Sequence, residues 1–459
     1  MSPQVFCEGR TCLGWVDGVG LARLAKKYQL GIFLLVAILA SASTWLYANR
    51  ILKARQVADA AAHGIPRGNL SDLYPRWLGA RELLRHGRNP YSPEITREIQ
   101  IGYYGRPLDP TRPNDPKDQQ GFAYPVYVVF LLAPSVDLPF DDVHTGFRWL
   151  LIALVPLSVW LWLHVLRWKP PLAEAAIYSV LLLGWLPMMQ GIKLQQLTLV
   201  VAVLLAGCAA CLTMGWSLCA GGLLAVATIK PQLAWPTVLW LLLWTLSDWR
   251  ERRRFVFGFA LVMLLLLGGA ELILPGWIGM FVHGLGQYHQ YTQNQSVLVF
   301  MFGSVIGRIL EAPSVIACAA CVWQVRRDPA DSAEFGRATA VVLALTVVVV
   351  PMFAPYNQVL LVPAVLALVR STTSKTPILP AVKLACMVGA VLLVWPWIAT
   401  LGLTVAHFCL APERRNLLWS AWQLPLYSNF VVPIFAFGLA LVDAWLNPVR
   451  GLRDAAAAE

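Results

Sequence analysis

The chain has 459 residues, of which 58% are hydrophobic, only 13% are charged and 20 are tryptophan. A soluble domain carries roughly 25% charged residues, and halving that share in water exposes large apolar patches, so the composition excludes an ordinary soluble protein. The formal charge of +11 is no sign of nucleic acid, because the basic residues stand in short clusters between apolar runs, where they set membrane topology and meet anionic head groups.

Residues 1–29 form a tail with Arg23, Lys26 and Lys27. The first apolar run, Gly31 to Ala48, is followed by no convincing cleavage site and reads as a retained anchor. About twelve apolar runs are candidate spans, at 30–48, 147–166, 173–189, 195–214, 216–229, 232–247, 255–274, 309–325, 338–353, 355–370, 378–403 and 427–446. Two of them carry Cys-Ala-Ala-Cys pairs, Cys208/Cys211 and Cys318/Cys321, which suit close helix packing; a metal or redox role is the alternative.

Positive charge in short loops marks the cytoplasmic side. Arg167 and Lys169, then Arg250, Arg252, Arg253 and Arg254, then Arg326, Arg327 and Arg337, then Arg370 and Lys375, and finally Arg450 and Arg453 give a consistent alternation. Both termini are then cytoplasmic, provided that 124–138, bracketed by Pro125, Pro134 and Pro139, is re-entrant or interfacial and not a thirteenth span. The expected architecture is an all-α polytopic membrane protein of a cell membrane. Its embedded domain covers 30–446, with a first external loop at 49–145, a second at 275–308 and a cytoplasmic tail at 447–459. Nearly every polar residue that packing does not explain falls on the external side.

In the first external loop Leu73, Trp77, Ala80 and Leu84 recur at helical spacing and Gly87 supplies a stop. The segment reads as an amphipathic helix on the membrane surface, with Arg76, Arg81, Arg85 and Arg88 near lipid phosphates. Asp72 has two readings: a helix-start residue favoured by the dipole, or a carboxylate that takes a proton from a sugar hydroxyl. The stretch from Asp109 to Gln120 reads as a mobile loop without assignable chemistry.

Gln195, Gln196 and Thr198 open a helix, and Lys193 and Lys230 lie near membrane depth, where each either snorkels to the interface or binds a phosphate. Between residues 283 and 296 run His283, Gln287, Tyr288, His289, Tyr291, Asn294 and Gln295. Amides and aromatics suit sugar hydroxyls and ring faces, and an ordinary hydrated loop is the alternative. The histidines lack metal-like spacing with any carboxylate. Pro355, Tyr356, Asn357 and Gln358 add another polar cap.

Taken in order, Asp72, Gly87-Arg-Asn-Pro-Tyr91, Phe122-Ala-Tyr124-Pro125 with Pro134, Gln196, Lys230-Pro231, Asn294-Gln295-Ser296 with Arg308, and Pro355-Tyr356-Asn357 resemble glycosyltransferase family 87. This family holds the polyprenol-phosphate-mannose-dependent mannosyltransferases and their relatives of the GT-C superfamily, and the resemblance runs over roughly residues 30 to 446. It implies a GT-C-like bundle and an inverting transfer of a hexose, mannose above others, from a polyprenyl-phosphate carrier to a lipid or glycan acceptor. Asp72 matches the acidic residue that serves as base. Lys230 matches a lysine near the donor phosphate, and Gln196, Arg308, Tyr124, Asn294, Gln295, His289, Asn357 and Tyr91 complete the expected donor site. No cofactor or metal is required, since fixed cations can neutralise a leaving phosphate.

Two motifs depart from the family pattern. Its Gly-Gln-x-Asn turn reads Gln195-Gln196-Leu197-Thr198, and its Tyr-Pro-Pro reads Tyr124-Pro125-Val126. The rival class is a lipid or glycoconjugate transporter or flippase. Against it stand the lack of an internal repeat and a midplane almost free of charge.

Overall fold

The computed structural model describes residues 14–292, 295–351, 354–373, 380–417 and 419–456, so Asn294 and Lys375 lie outside the described residues. Among the described residues every regular element is helical, as lipid demands of a backbone that must satisfy its own hydrogen bonds. Helix α1 (Gly14–Leu46) runs through a π-helical turn, Tyr47–Leu52, into α2 (Lys53–Ala62). The first helix thus continues well past residue 48, where a loop was expected.

Then come α3 (Tyr74–His86), α4 (Pro93–Tyr104), α5 (Val128–Leu132) and α6 (Phe140–Val165). Helices α7 (Leu172–Gly184) and α8 (Leu186–Leu194) are bent by 63° at the extended Trp185. The chain continues with α9 (Thr198–Thr213), α10 (Ser217–Ala227), α11 (Pro231–Leu246), α12 (Trp249–Ile273), α13 (Trp277–Thr292), α14 (Val297–Val325) and α15 (Ala333–Val349). A 3-10 helix, Pro355–Leu361, leads into α16 (Val362–Thr373), followed by α17 (Pro380–Cys409), α18 (Pro412–Leu417), α19 (Trp419–Tyr427) and α20 (Val432–Ala456).

Among the described residues six helical runs are long and apolar enough to cross a membrane, or seven if the bent pair α7–α8 is one span. The other expected spans are helices of 11 to 17 residues: α9, α10, α11, α15 and α16. At about 1.5 Å per residue they fall short of a hydrocarbon core about 30 Å thick. Helices α9 and α15 are mostly buried and have no exposed residue. A helix inside the bundle has protein, not lipid head groups, at its ends, so it is free to stop early.

Glycines bring two helices together. A Cβ on Gly221 of α10 would lie 2.1 Å from the Phe255 carbonyl oxygen of α12, and one on Gly258 would lie 2.2 Å from that of Leu218. The two backbones touch through this reciprocal pair, as small residues allow in membranes. Gly221→Val is expected to cost at least about 1–3 kcal/mol by overpacking, seen as a lower Tm and loss of monodispersity in detergent.

The segment between α2 and α6 builds a cap. Gly87 takes φ 64 and ends α3 where the sequence placed the stop. Leu73, Trp77 and Ala80 are buried, with the Trp77 indole N–H donating to the Ser135 carbonyl at 3.0 Å and its ring 5.2 Å from Phe140. The apolar face of α3, expected to meet lipid, therefore packs on protein. Arg88 ties α3 to α4 through Glu82 at 2.8 Å and Glu98 at 2.5 Å.

Residues 124–138 fold into the five-residue α5 and a 3-10 turn, Ala133–Ser135, packed on α3. Five residues rise only about 8 Å, so they make no thirteenth span. The stretch 275–308, expected as the second external loop, holds α13 and the first turns of α14, which kinks at Gly303 (φ 80).

Candidate active site

Several of the short helices meet at one place. Helices α9 and α11 and the 3-10 helix begin there, while α10 and α15 end there, and where they stop a cavity of about 350 Å³ opens beneath the cap. Its lining includes Asp72, Arg76, Gln196, Lys230, Tyr124 and Tyr356.

Asp72 sits in the turn before α3, where Asn69 Oδ1 accepts the Ser71 N–H at 2.8 Å. Its own N–H donates to the Leu194 carbonyl at 2.8 Å, which locks the cap to the end of α8. The carboxylate does not cap α3. One oxygen accepts the Tyr103 hydroxyl at 3.0 Å and the other accepts the Gln196 side-chain amide. Half-buried and facing the cavity, the Asp72 carboxyl is pushed up from the usual range by burial, while Arg76, Tyr103, Gln196 and Lys230 pull it down.

Gln196 links both poles of the site. Its Oε1 accepts Lys230 Nζ at 2.8 Å, and Lys230 also donates to Thr198 Oγ1 at 2.6 Å. Only 4% of Lys230 is exposed, so it does not snorkel. The ammonium is 5.1 Å from the Tyr356 ring centre and 5.8 Å from that of Tyr124. Buried as it is, a single ammonium is held by two oxygens and two ring faces.

The Gln195-Gln196 turn works without glycine. Gln195 takes φ 55, a left-handed conformation that costs most residues energy. Its side chain accepts from Ser71 Oγ at 2.5 Å and donates to the His144 carbonyl, and these bonds hold it there. Thr198, where the family has asparagine, relays from Lys230 to Asn357 Oδ1 at 3.3 Å.

The structure brings Asp72, Gln196, Lys230, Tyr124 and His289 to this one cavity. Asn357 is buried behind Thr198 and does not line it. Tyr91 lies outside and donates its hydroxyl to the Tyr124 carbonyl at 2.6 Å, so the Gly87–Tyr91 motif brackets Tyr124. Arg308 is exposed on α14 and Gln295 is exposed between α13 and α14; neither lines the cavity, contrary to expectation. The second cation there is Arg76, whose guanidinium lies 4.4 Å from the Tyr124 ring centre and whose Nε has no partner among the described residues.

Asp118 was missed. It lines the cavity with its carboxylate held by the Gln120 backbone N–H and side-chain amide, both at 2.9 Å, inside a stretch that composition marks as a loop without chemistry. Tyr103 and Tyr356 were also unassigned. Arg76 was legible as a neighbour, one helical turn after Asp72.

The sequence profile of glycosyltransferase family 87 matches residues 122–355, just over half of the chain. That stretch holds Tyr124, Gln196, Lys230 and His289; it begins after Asp72, Arg76 and Asp118 and ends just before Tyr356. No curated protein and no solved structure matches the chain. A match over more than half of the chain, set in a helical bundle with membrane-spanning helices and carrying part of the cavity wall, fixes the assignment: the chain belongs to glycosyltransferase family 87 and is a membrane glycosyltransferase.

Proposed function

We propose that the protein transfers a hexose, mannose above others, from a polyprenyl-phosphate carrier to a lipid or glycan acceptor on the non-cytoplasmic face. The observation that carries this reading is the chain Asp72–Gln196–Lys230, with Arg76 beside it, in a cavity of about 350 Å³. One pole takes a proton and the other meets an anion.

The Asp72 carboxylate removes the proton of an acceptor hydroxyl, and that oxygen attacks the anomeric carbon. The bond from this carbon to the phosphate oxygen breaks, and the polyprenyl phosphate departs with the electron pair, which inverts the centre. Lys230 and Arg76 stabilise the departing charge as fixed cations. The starts of α9 and α11 also face the site, and helix N-termini favour anions. Holding base, sugar and phosphate in line removes on the order of 7–11 kcal/mol from the barrier.

Incubation of the purified protein with radiolabelled polyprenyl-phosphate hexoses and candidate acceptors tests the reading. A new glycosidic bond supports it, and movement of intact donor across vesicles without bond formation supports a transporter instead. The base must be ionised, and burial raises its pKa. The rate should therefore fall on the acid side at a higher pH than an ordinary aspartate would give. Tyr103→Phe removes a hydrogen bond that favours the ionised form, so its acid limb should lie at still higher pH; an unmoved limb would count against Asp72.

A further inference from the structure

Beside the Asp72 cavity lies a second, larger hollow of about 1180 Å³, walled by α4, the loop 106–112 and α13. We infer that this groove binds the acceptor as an extended oligosaccharide, whose end ring reaches Asp72 across Gly121 and Ala123. The inference rests on the transferase reading and adds the acceptor class to it.

Four observations support it. The hollow exceeds the roughly 300–1,000 Å³ that a drug-sized molecule fills, so a single sugar ring leaves most of it empty. Its wall carries the Gln287 amide, the exposed guanidinium of Arg97 and the ring of Tyr91, while the Gln100 and Gln119 amides brace the wall by bonding to each other at 2.9 Å. Amides and guanidinium groups pair with hydroxyls, and sugar rings stack on aromatic faces.

Charge narrows the ligand. Arg106 is tied to Asp115 at 2.5 Å and Arg112 to Asp109 at 3.5 Å, so two of the three arginines that line the hollow are paired with carboxylates. A neutral glycan fits that balance better than a polyphosphate does.

Helix α13 serves both hollows with different faces. Met280, His283, Gly284 and Gln287 line the groove, while Phe281, Leu285, Tyr288 and His289 line the Asp72 cavity, a division set by helical periodicity. Among the described residues only Gly121 and Ala123 line both. The two residues shared by both walls are therefore small. Packing does not force that choice, since a Cβ on Gly121 would meet nothing closer than Thr96 Oγ1 at 3.7 Å.

Calorimetry on the full chain in lipid nanodiscs, without donor, tests the groove with manno- and gluco-oligosaccharides from a single ring upward. In one of the two series affinity should climb with length, by on the order of tenfold from the shortest to the longest. Gly284→Trp should flatten the climb, because a Cβ at Gly284 has open space around it and the indole fills the groove. Arg97→Ala, at an exposed position with little risk to folding, should weaken the longer oligosaccharides as well. Affinities independent of length in both series, or a climb that survives in both variants, would overturn the inference. The transferase reading fails differently: the donor is then left unconsumed with every acceptor, whatever the binding ladder shows.

Discussion

Asp72→Asn should lower glycosyl transfer by about 10²–10⁴-fold, the usual contribution of a general base, while the protein stays monodisperse with a Tm near that of the wild type. The amide keeps the shape of the carboxylate and still accepts a bond from Tyr103 or Gln196, the two donors that hold it now. What it loses is the ability to take a proton. Asp72→Glu should restore part of the rate, because the base returns at a displaced position. Donor binding should survive in the asparagine variant, with the loss confined to kcat. If Asp72→Asn transfers sugar at the wild-type rate, the carboxylate is structural and the base lies elsewhere; Asp118, which shares the cavity, is the next candidate.

Lys230→Met should cost about 10²–10³-fold in transfer, as loss of a preorganised charge at a reacting centre does. Stability should respond in the opposite sense. Only 4% of Lys230 is exposed, and replacing a buried charge with an apolar chain of similar length is often neutral or stabilising. The bonds to Gln196 and Thr198 are lost, which offsets part of that gain. An unchanged or higher Tm with collapsed activity marks a residue kept for chemistry. A large fall in Tm would instead mark a structural keystone and remove the cation from the mechanism. Lys230→Arg should not rescue, because the planar guanidinium is larger and does not fit the closed space between Gln196, Thr198 and the two tyrosine rings.

How much of this was legible differs between fold and site. The apolar runs became helices, because hydrophobic periodicity is a local property that survives whatever surrounds it. The Gly87 stop was also readable, since a left-handed C-terminus needs a residue without a Cβ. Asp72, Gln196 and Lys230 stood out because polar groups near membrane depth are few. Arg308 went astray for the converse reason. A charge near a motif says nothing about which face of a kinked helix it occupies, and Arg308 faces away from the cavity. Asp118 carried no signal, because it lies in a stretch whose composition matches any hydrated loop.

By itself the sequence determined the solvent, the helical class and the handful of charged residues whose burial demands a partner; each is decided by residue chemistry and spacing within a few turns. The tertiary structure alone decided that α3 buries its apolar face in protein, that α9, α10, α11, α15 and the 3-10 helix each have one end at a common floor, and that Asp118 joins Asp72 there. The physical reason is distance along the chain. A cavity is the space left where helices from remote segments end, and no local pattern records where a distant helix will stop.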